Sequence, residues 1–117
     1  MRRRGEIWLA DLNPQRGTEP GKTRPVLIVQ AQALLDVEHP STLVVPLTTR
    51  LVDAAEPLRV RIRASGSLKK DSDALIDQLR AIDNHRLVQG PLARLAPQQL
   101  DAVGYALLDV LELTDRA

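Results

Sequence analysis

Leu58-Arg59-Val60-Arg61-Ile62-Arg63 alternates strictly between apolar and basic residues. A strand turns successive side chains to opposite faces, so this stretch reads as a strand with one face buried and one positive. Further back, Val26-Leu27-Ile28-Val29 is short, apolar and β-branched, as a core strand should be. Pro25 just before it has no N–H, which suits the first position of a strand or an edge. Ile7-Trp8-Leu9-Ala10 reads as another buried strand, and Asn13-Pro14 breaks the chain after it. Thr42-Leu43-Val44-Val45-Pro46-Leu47-Thr48 is a third, with Pro46 arguing for an edge or bulge near its end.

Beyond the alternating strand, Ser65-Gly66 turns the chain. Asp73-Ala74-Leu75-Ile76 and Leu79-Arg80-Ala81-Ile82 read as one more strand, bent near Asp77-Gln78. Residues 31–37 suit a short helix or turn. Pro97 suits a first helical turn, and Leu100, Val103, Leu107, Val110 and Leu111 fall on one face at helical spacing. The expected fold is mostly β with α: a small, partly open barrel of antiparallel strands with a C-terminal amphipathic helix packed outside.

Composition bounds what such a fold can do. A chain of 117 residues is the usual size of one domain, so residues 1–117 are read as a single unit. Hydrophobic residues make up 44%, enough for a packed core rather than disorder. The absence of cysteine excludes disulfides, thiolate metal sites and a cysteine nucleophile, and fits a reducing cytoplasm. The basic start, Met1-Arg2-Arg3-Arg4, is followed by Gly5-Glu6 rather than an apolar run, so neither a secretory signal nor a membrane span is expected. Net charge is +1, so any nucleic-acid function needs a local positive site rather than a global one. The aromatic residues are Trp8 and Tyr105, which leaves little stacking along a single strand.

The local positive site has one good candidate. Residues 13–23 form a polar loop carrying Gly17, Pro20 and Gly21, and Arg24 closes it at the start of a core strand. A guanidinium is always charged and its planar fork matches a phosphate. An Arg-Pro dipeptide alone is more often half of an exposed ion pair, for which Glu19 stands nearby. Thr48 and Thr49 end the third strand, where a hydroxyl donates to a phosphate or, more commonly, satisfies its own backbone. Glu19 suits a general base or an orienter of Arg24, although a solvated loop carboxylate is the commoner case. Arg59, Arg61 and Arg63 make a basic face, usually solvated, which also suits electrostatic guidance of an RNA strand. His39 and His85 have no partner at ligand spacing, so no metal is expected.

The pieces resemble a known family in order and spacing. Gly5-Glu6-Ile7-Trp8-Leu9-Ala10-Asp11-Leu12-Asn13-Pro14, then Arg16-Gly17-Thr18-Glu19, then Gly21-Lys22-Thr23-Arg24-Pro25-Val26-Leu27-Ile28-Val29 resembles the opening of the MazF/PemK (Kid) toxins. Val45-Pro46-Leu47-Thr48-Thr49 resembles their third-strand motif. Asp77-Gln78-Leu79-Arg80-Ala81-Ile82-Asp83, with Arg86-Leu87 after it, resembles their third signature.

The resemblance implies an SH3-like barrel shared with the gyrase poison CcdB, and the toxin half of a type II toxin–antitoxin system. It implies a homodimeric, cytoplasmic mRNA interferase that cuts single-stranded RNA at short sequences with no metal or other cofactor. A cognate MazE-like antitoxin with an acidic flexible segment would cover the RNA groove, and DNA would be bound only indirectly, through the antitoxin complex. In the MazF branch the catalytic pair carries over to Arg24 and Thr48, with Glu19 near the site. Arg24 is then an electrostatic clamp and candidate proton donor, and Thr48 holds a phosphate oxygen. The general base is left between Glu19 and Asp77. Thr18, Lys22, Thr49, Gln78 and Arg80 are the expected RNA-contacting residues.

Departures narrow the transfer. Kid-type members carry an arginine two residues before the aspartate of the third motif and a histidine in the first loop, where this chain has Leu75 and Thr18. The MazF-style assignment therefore transfers and the Kid-style one does not. Pro20 replaces a common glutamine, stiffening the loop and removing polar contacts. The readings from other classes are a non-enzymatic, CcdB-like gyrase inhibitor, which has no need of the Arg24/Thr48 pair, and a catalytically weak relative acting as a binding module with its antitoxin.

Overall fold

A computed structural model describes residues 2–14, 16–18 and 22–113. Among the described residues seven strands and two α-helices follow one another: β1 (Glu6–Asp11), β2 (Thr23–Ile28), α1 (Gln32–Asp36), β3 (Ser41–Thr48), β4 (Arg59–Ile62), β5 (Ser72–Leu75), β6 (Arg80–Asp83), β7 (Leu87–Arg94) and α2 (Pro97–Val110). The sheet runs β4-β5-β3-β2-β1-β7, with β6 also paired to β3, and every pairing is antiparallel. It is an open version of the expected barrel, with β4 and β7 at its edges. Among the described residues no helix is long and apolar enough to cross a membrane.

Alternation explains how the core divides. Leu27 of β2 and Val45 and Leu47 of β3 point into one apolar cluster with Ile7, Ile62, Ile76 and Val103. Val26 and Ile28 of β2 and Val44 of β3 point the other way, into a cluster with Leu12, Ile82 and Leu87. Both faces of β2 and β3 are thus covered, which is why those strands read as continuous apolar runs. Leu100, Leu107 and Val110 of α2 pack on the first cluster, and Leu35 of α1 sits in the second. Pro97 takes the first helical turn, as its fixed φ predicts. Leu111, expected on the apolar face, caps the helix instead and is half exposed.

Three differences from the sequence reading have physical causes. The expected single bent strand after Ser72 is two strands on the same edge of β3. From Val44 to Leu47 is three steps along β3, while the partner goes from Arg80 to Ala74, which is six. The surplus is taken up by a 3-10 turn, Ile76–Gln78, opposite Pro46, whose missing N–H interrupts the ladder. Pro25 is not the first residue of its strand but the third, paired with Leu9 of β1. Finally, β7 was not foreseen, because Gly90-Pro91 in its middle looks like a break. It forms an edge strand, where proline is tolerated.

Those prolines also shape the surface. The β2–β3 ladder ends at the pair Val26↔Pro46. Beyond it β3 pairs only on its other edge, with β5 through Leu47↔Ala74 and Thr48↔Asp73, while β2 stays on β1. The two strands part, and a cleft opens between them.

Candidate active site

Continuing the Val26↔Pro46 register two steps past the end of the ladder sets Arg24 opposite Thr48. Both residues line the cleft, together with Thr49. The cleft holds about 550 Å³. Leu9, Pro25, Leu47, Leu68 and Leu92 supply its apolar lining, and Arg24, Arg50, Lys69 and Lys70 supply its charge. No carboxylate is among the described residues that line it. Four cations around an apolar floor focus a positive potential into the opening, which favours an anionic ligand.

Each of the paired residues is held by regular structure. Arg24 lies in β2 opposite Ala10, so its backbone is fixed by the β1 ladder. Thr48 ends β3 opposite Asp73 of β5. The Thr48 Oγ1 accepts a hydrogen bond from the Arg50 N–H at 3.2 Å. That is the local backbone bond expected of a threonine at a strand end. A hydroxyl has one proton to donate and two lone pairs, so an accepted bond leaves the proton to be given to an anion.

The other expected site residues divide. Thr18, Asp77 and Gln78 line a second hollow of about 270 Å³, with Leu58, Arg59 and Leu75. Lys22 is exposed; its N–H donates to Asn13 Oδ1 at 2.7 Å, and its φ of 63° is one that non-glycine residues seldom adopt. Arg80 stands in β6 opposite Val44 and lines neither hollow. Glu19 and Pro20 lie outside the described residues.

Two groups of residues were not anticipated. Arg50, Ser67, Lys69, Lys70 and Ser72 complete the Arg24 cleft. The hint for the lysines was a basic pair close behind the Ser65-Gly66 turn. The second group corrects the basic face of β4. Asp73 is almost fully buried, and its carboxylate accepts from Arg61 Nε at 2.6 Å, Arg59 Nη1 at 3.2 Å and the Val52 N–H at 2.9 Å. Arg61 also reaches Asp53 at 2.7 Å. Arg59 and Arg61 are thus engaged internally rather than forming a bare positive stripe. Burial pushes the Asp73 pKa up, but the donors from Arg61, Val52 and Arg59 outweigh it and hold the carboxyl below its ordinary range. Arg61 is held above its ordinary value by its bonds to Asp73 and Asp53.

The model of the PemK-like, MazF-like toxins of type II toxin–antitoxin systems matches residues 3–111. The chain belongs to that family. The endoribonuclease MazF of Staphylococcus saprophyticus is 37% identical over 108 residues, covering 92% of this chain and 88% of the relative. Its activity class is endoribonuclease, and a gyrase inhibitor is not favoured for this toxin. Among solved structures, the Mycobacterium tuberculosis toxin MazF-mt6 superposes with a TM-score of 0.76 at 23% identity, covering 94% of this chain and 99% of that one. A mycobacterial endoribonuclease in complex with its cognate antitoxin gives a TM-score of 0.74 at 21% identity, covering 98% of this chain and 99% of that one. At such identities the likeness shows that the toxin shares their fold.

Proposed function

We propose that this toxin cuts single-stranded RNA, with no metal, in the cleft between Arg24 and Thr48. The observation that carries the proposal is the placing of those two side chains across the end of the β2–β3 ladder, in a cation-lined cleft. The ribose 2′-oxygen bonds to phosphorus and the bond to the 5′-oxygen breaks. The 2′-hydroxyl proton passes to a base, and the 5′-oxygen leaves with a proton. The products are a 2′,3′-cyclic phosphate and a 5′-OH end. Negative charge builds on the non-bridging oxygens of the phosphorane, where a fixed guanidinium and a hydroxyl donor act most strongly. Arg24 clamps that charge, and Thr48 holds one oxygen.

Glu19 is the proposed base, since its loop leads directly into Arg24. Asp77 stands in the second hollow, apart from the cleft, and is assigned with Gln78 and Thr18 to the flanking RNA. Lys22, Thr49 and Arg80 complete the proposed RNA-contacting set. With few aromatics available, hydrogen bonds and charge carry the recognition of a short sequence.

The partners follow from the same reading. A cognate antitoxin with an acidic flexible segment is the proposed natural occupant of the cation-lined cleft, and it links the toxin to DNA only through the complex. Tyr105, Leu108, Leu111 and Leu113 stay exposed near the end of α2 and support a two-fold homodimer. The proposed location is the cytoplasm, where mRNA is translated. Purified protein incubated with varied single-stranded RNAs in EDTA tests the function. Cleavage with cyclic-phosphate ends is the expected result. Growth arrest in cells without cleavage of any RNA would shift the assignment to another target.

A further inference from the structure

Asp73 sits in an unusual place for a buried carboxylate. It lies opposite Thr48 on one side and opposite Arg61 on the other, because β5 is shared by β3 and β4. Both of its oxygens accept from protein donors. Oδ1 accepts from Arg61 Nε, and Oδ2 accepts from both the Val52 N–H and Arg59 Nη1. The same Arg59 nitrogen donates to the Arg50 carbonyl at 2.7 Å. The short segment after Thr48 is therefore tied at two points, at the Arg50 carbonyl through Arg59 and at the Val52 amide directly. Just ahead of the first tie, on the same residue, the Arg50 N–H donates to Thr48 Oγ1.

We propose that Asp73 is a positioning residue of the cutting centre. Through Arg59 and the Val52 amide it fixes the Arg50 turn, and that turn aims the Thr48 hydroxyl into the cleft. The inference rests on the Arg24–Thr48 reading above and deepens it. A charged hub has a clear advantage here. A carboxylate accepts several N–H donors at once, whereas an amide in its place offers one oxygen and two protons. Arg59 adds the reach, because its Nη1 carries two N–H donors and serves the carboxylate and the Arg50 carbonyl together. Positioning of this kind matters because a donor displaced by a fraction of an ångström loses much of its effect on the transition state.

The test is a double-mutant cycle on single-turnover RNA cleavage, with Asp73→Asn, Thr48→Ala and the combination. Folding is followed by circular dichroism and thermal unfolding. Thr48→Ala is expected to lower the cleavage rate about 100-fold, and Asp73→Asn about 10-fold with KM changed by less than about threefold, as for loss and misplacement of one transition-state donor. If Asp73 works through Thr48, the double mutant cuts as slowly as Thr48→Ala alone, because there is no hydroxyl left to misplace. Asp73→Glu, which keeps the charge, should recover part of the rate.

Additive losses would overturn the inference, and so would an Asp73→Asn enzyme that cuts at the wild-type rate. If Asp73→Asn does not fold, Arg59→Gln replaces it in the same cycle, since that change leaves Arg61 on the carboxylate while freeing the Arg50 carbonyl. A Thr48→Ala enzyme with wild-type cleavage would instead refute the site reading on which the inference stands.

Discussion

Glu6 gives the most quantitative test of the fold. It begins β1, is 3% exposed, and carries a carboxylate with three donors. Oε1 accepts from the Arg3 N–H at 2.9 Å and from Trp8 Nε1 at 3.1 Å, and Oε2 accepts from Arg94 at 3.1 Å. In Glu6→Gln one amide oxygen can still accept, but the amide nitrogen must then face Arg94, donor against donor. Loss of hydrogen bonds to a charged acceptor costs about 1.5–3 kcal/mol. The Arg94 side chain is 62% exposed, so the ion pair itself adds at most about 1 kcal/mol. A loss of about 2–3 kcal/mol in a domain of this size lowers Tm by roughly 8–12 °C at pH 7.

The pH dependence sharpens this prediction. Burial raises the Glu6 pKa, but the bonds from Trp8, Arg3 and Arg94 prevail and hold it below its ordinary value of 4.5. A carboxyl lowered on folding stabilises the native state above the unfolded-state value, and that contribution is lost as pH falls through the folded value. The Tm gap between wild type and Glu6→Gln should therefore be full at pH 7 and shrink as the pH is taken below the ordinary carboxyl value. Trp8 is the single tryptophan and touches Glu6, so its fluorescence follows the melt directly. A gap of the same size at pH 7 and pH 3, or no gap at pH 7, would refute the reasoning.

Other outcomes follow from particular contacts. A Cβ on Gly90 would overlap the Trp8 indole, so Gly90→Ala should cost about 1–3 kcal/mol by overpacking, read as a lower urea midpoint. A Cβ on Gly66 would meet the Leu92 carbonyl at 2.7 Å, and the φ there is +53°, so Gly66→Ala should destabilise by about 1–2 kcal/mol in the same assay. Thr48→Ser keeps the hydroxyl and should retain cleavage within about tenfold, while Thr48→Ala should lose about 100-fold or more in gel-resolved rates. RNA affinity should fall steeply between low and physiological salt in fluorescence anisotropy, because lysines and arginines line the cleft.

The sequence carried much of this through local pattern. The alternation of Leu58 to Arg63 and the apolar runs around Leu27 and Val45 named their strands, and Pro97 with its helical spacing named α2. Arg24 and Thr48 were legible as types suited to an anion. Their meeting was not, because it depends on a register set by Val26↔Pro46 and on the β2–β3 ladder ending there. The neutralisation of Arg59 and Arg61 was hidden for a similar reason. Their partner Asp73 lies 14 and 12 residues away on a neighbouring strand. Edge strand β7 was masked by Gly90-Pro91, a pair that reads as a break until the indole lying on Gly90 is seen. Local pattern thus names elements, while the contacts that make a site come from pairing between them.

The central claim is that Arg24, set opposite Thr48, stabilises the charge that develops as RNA is cut. The most direct measurement is the single-turnover cleavage of an end-labelled single-stranded RNA in EDTA by the wild type and by Arg24→Ala, with the product ends identified. The account predicts 2′,3′-cyclic phosphate and 5′-OH ends from the wild type, and a rate lower by about 100- to 1,000-fold in Arg24→Ala, as for loss of one preorganised donor. Cleavage by Arg24→Ala at the wild-type rate, or products with 5′-phosphate ends, would contradict it.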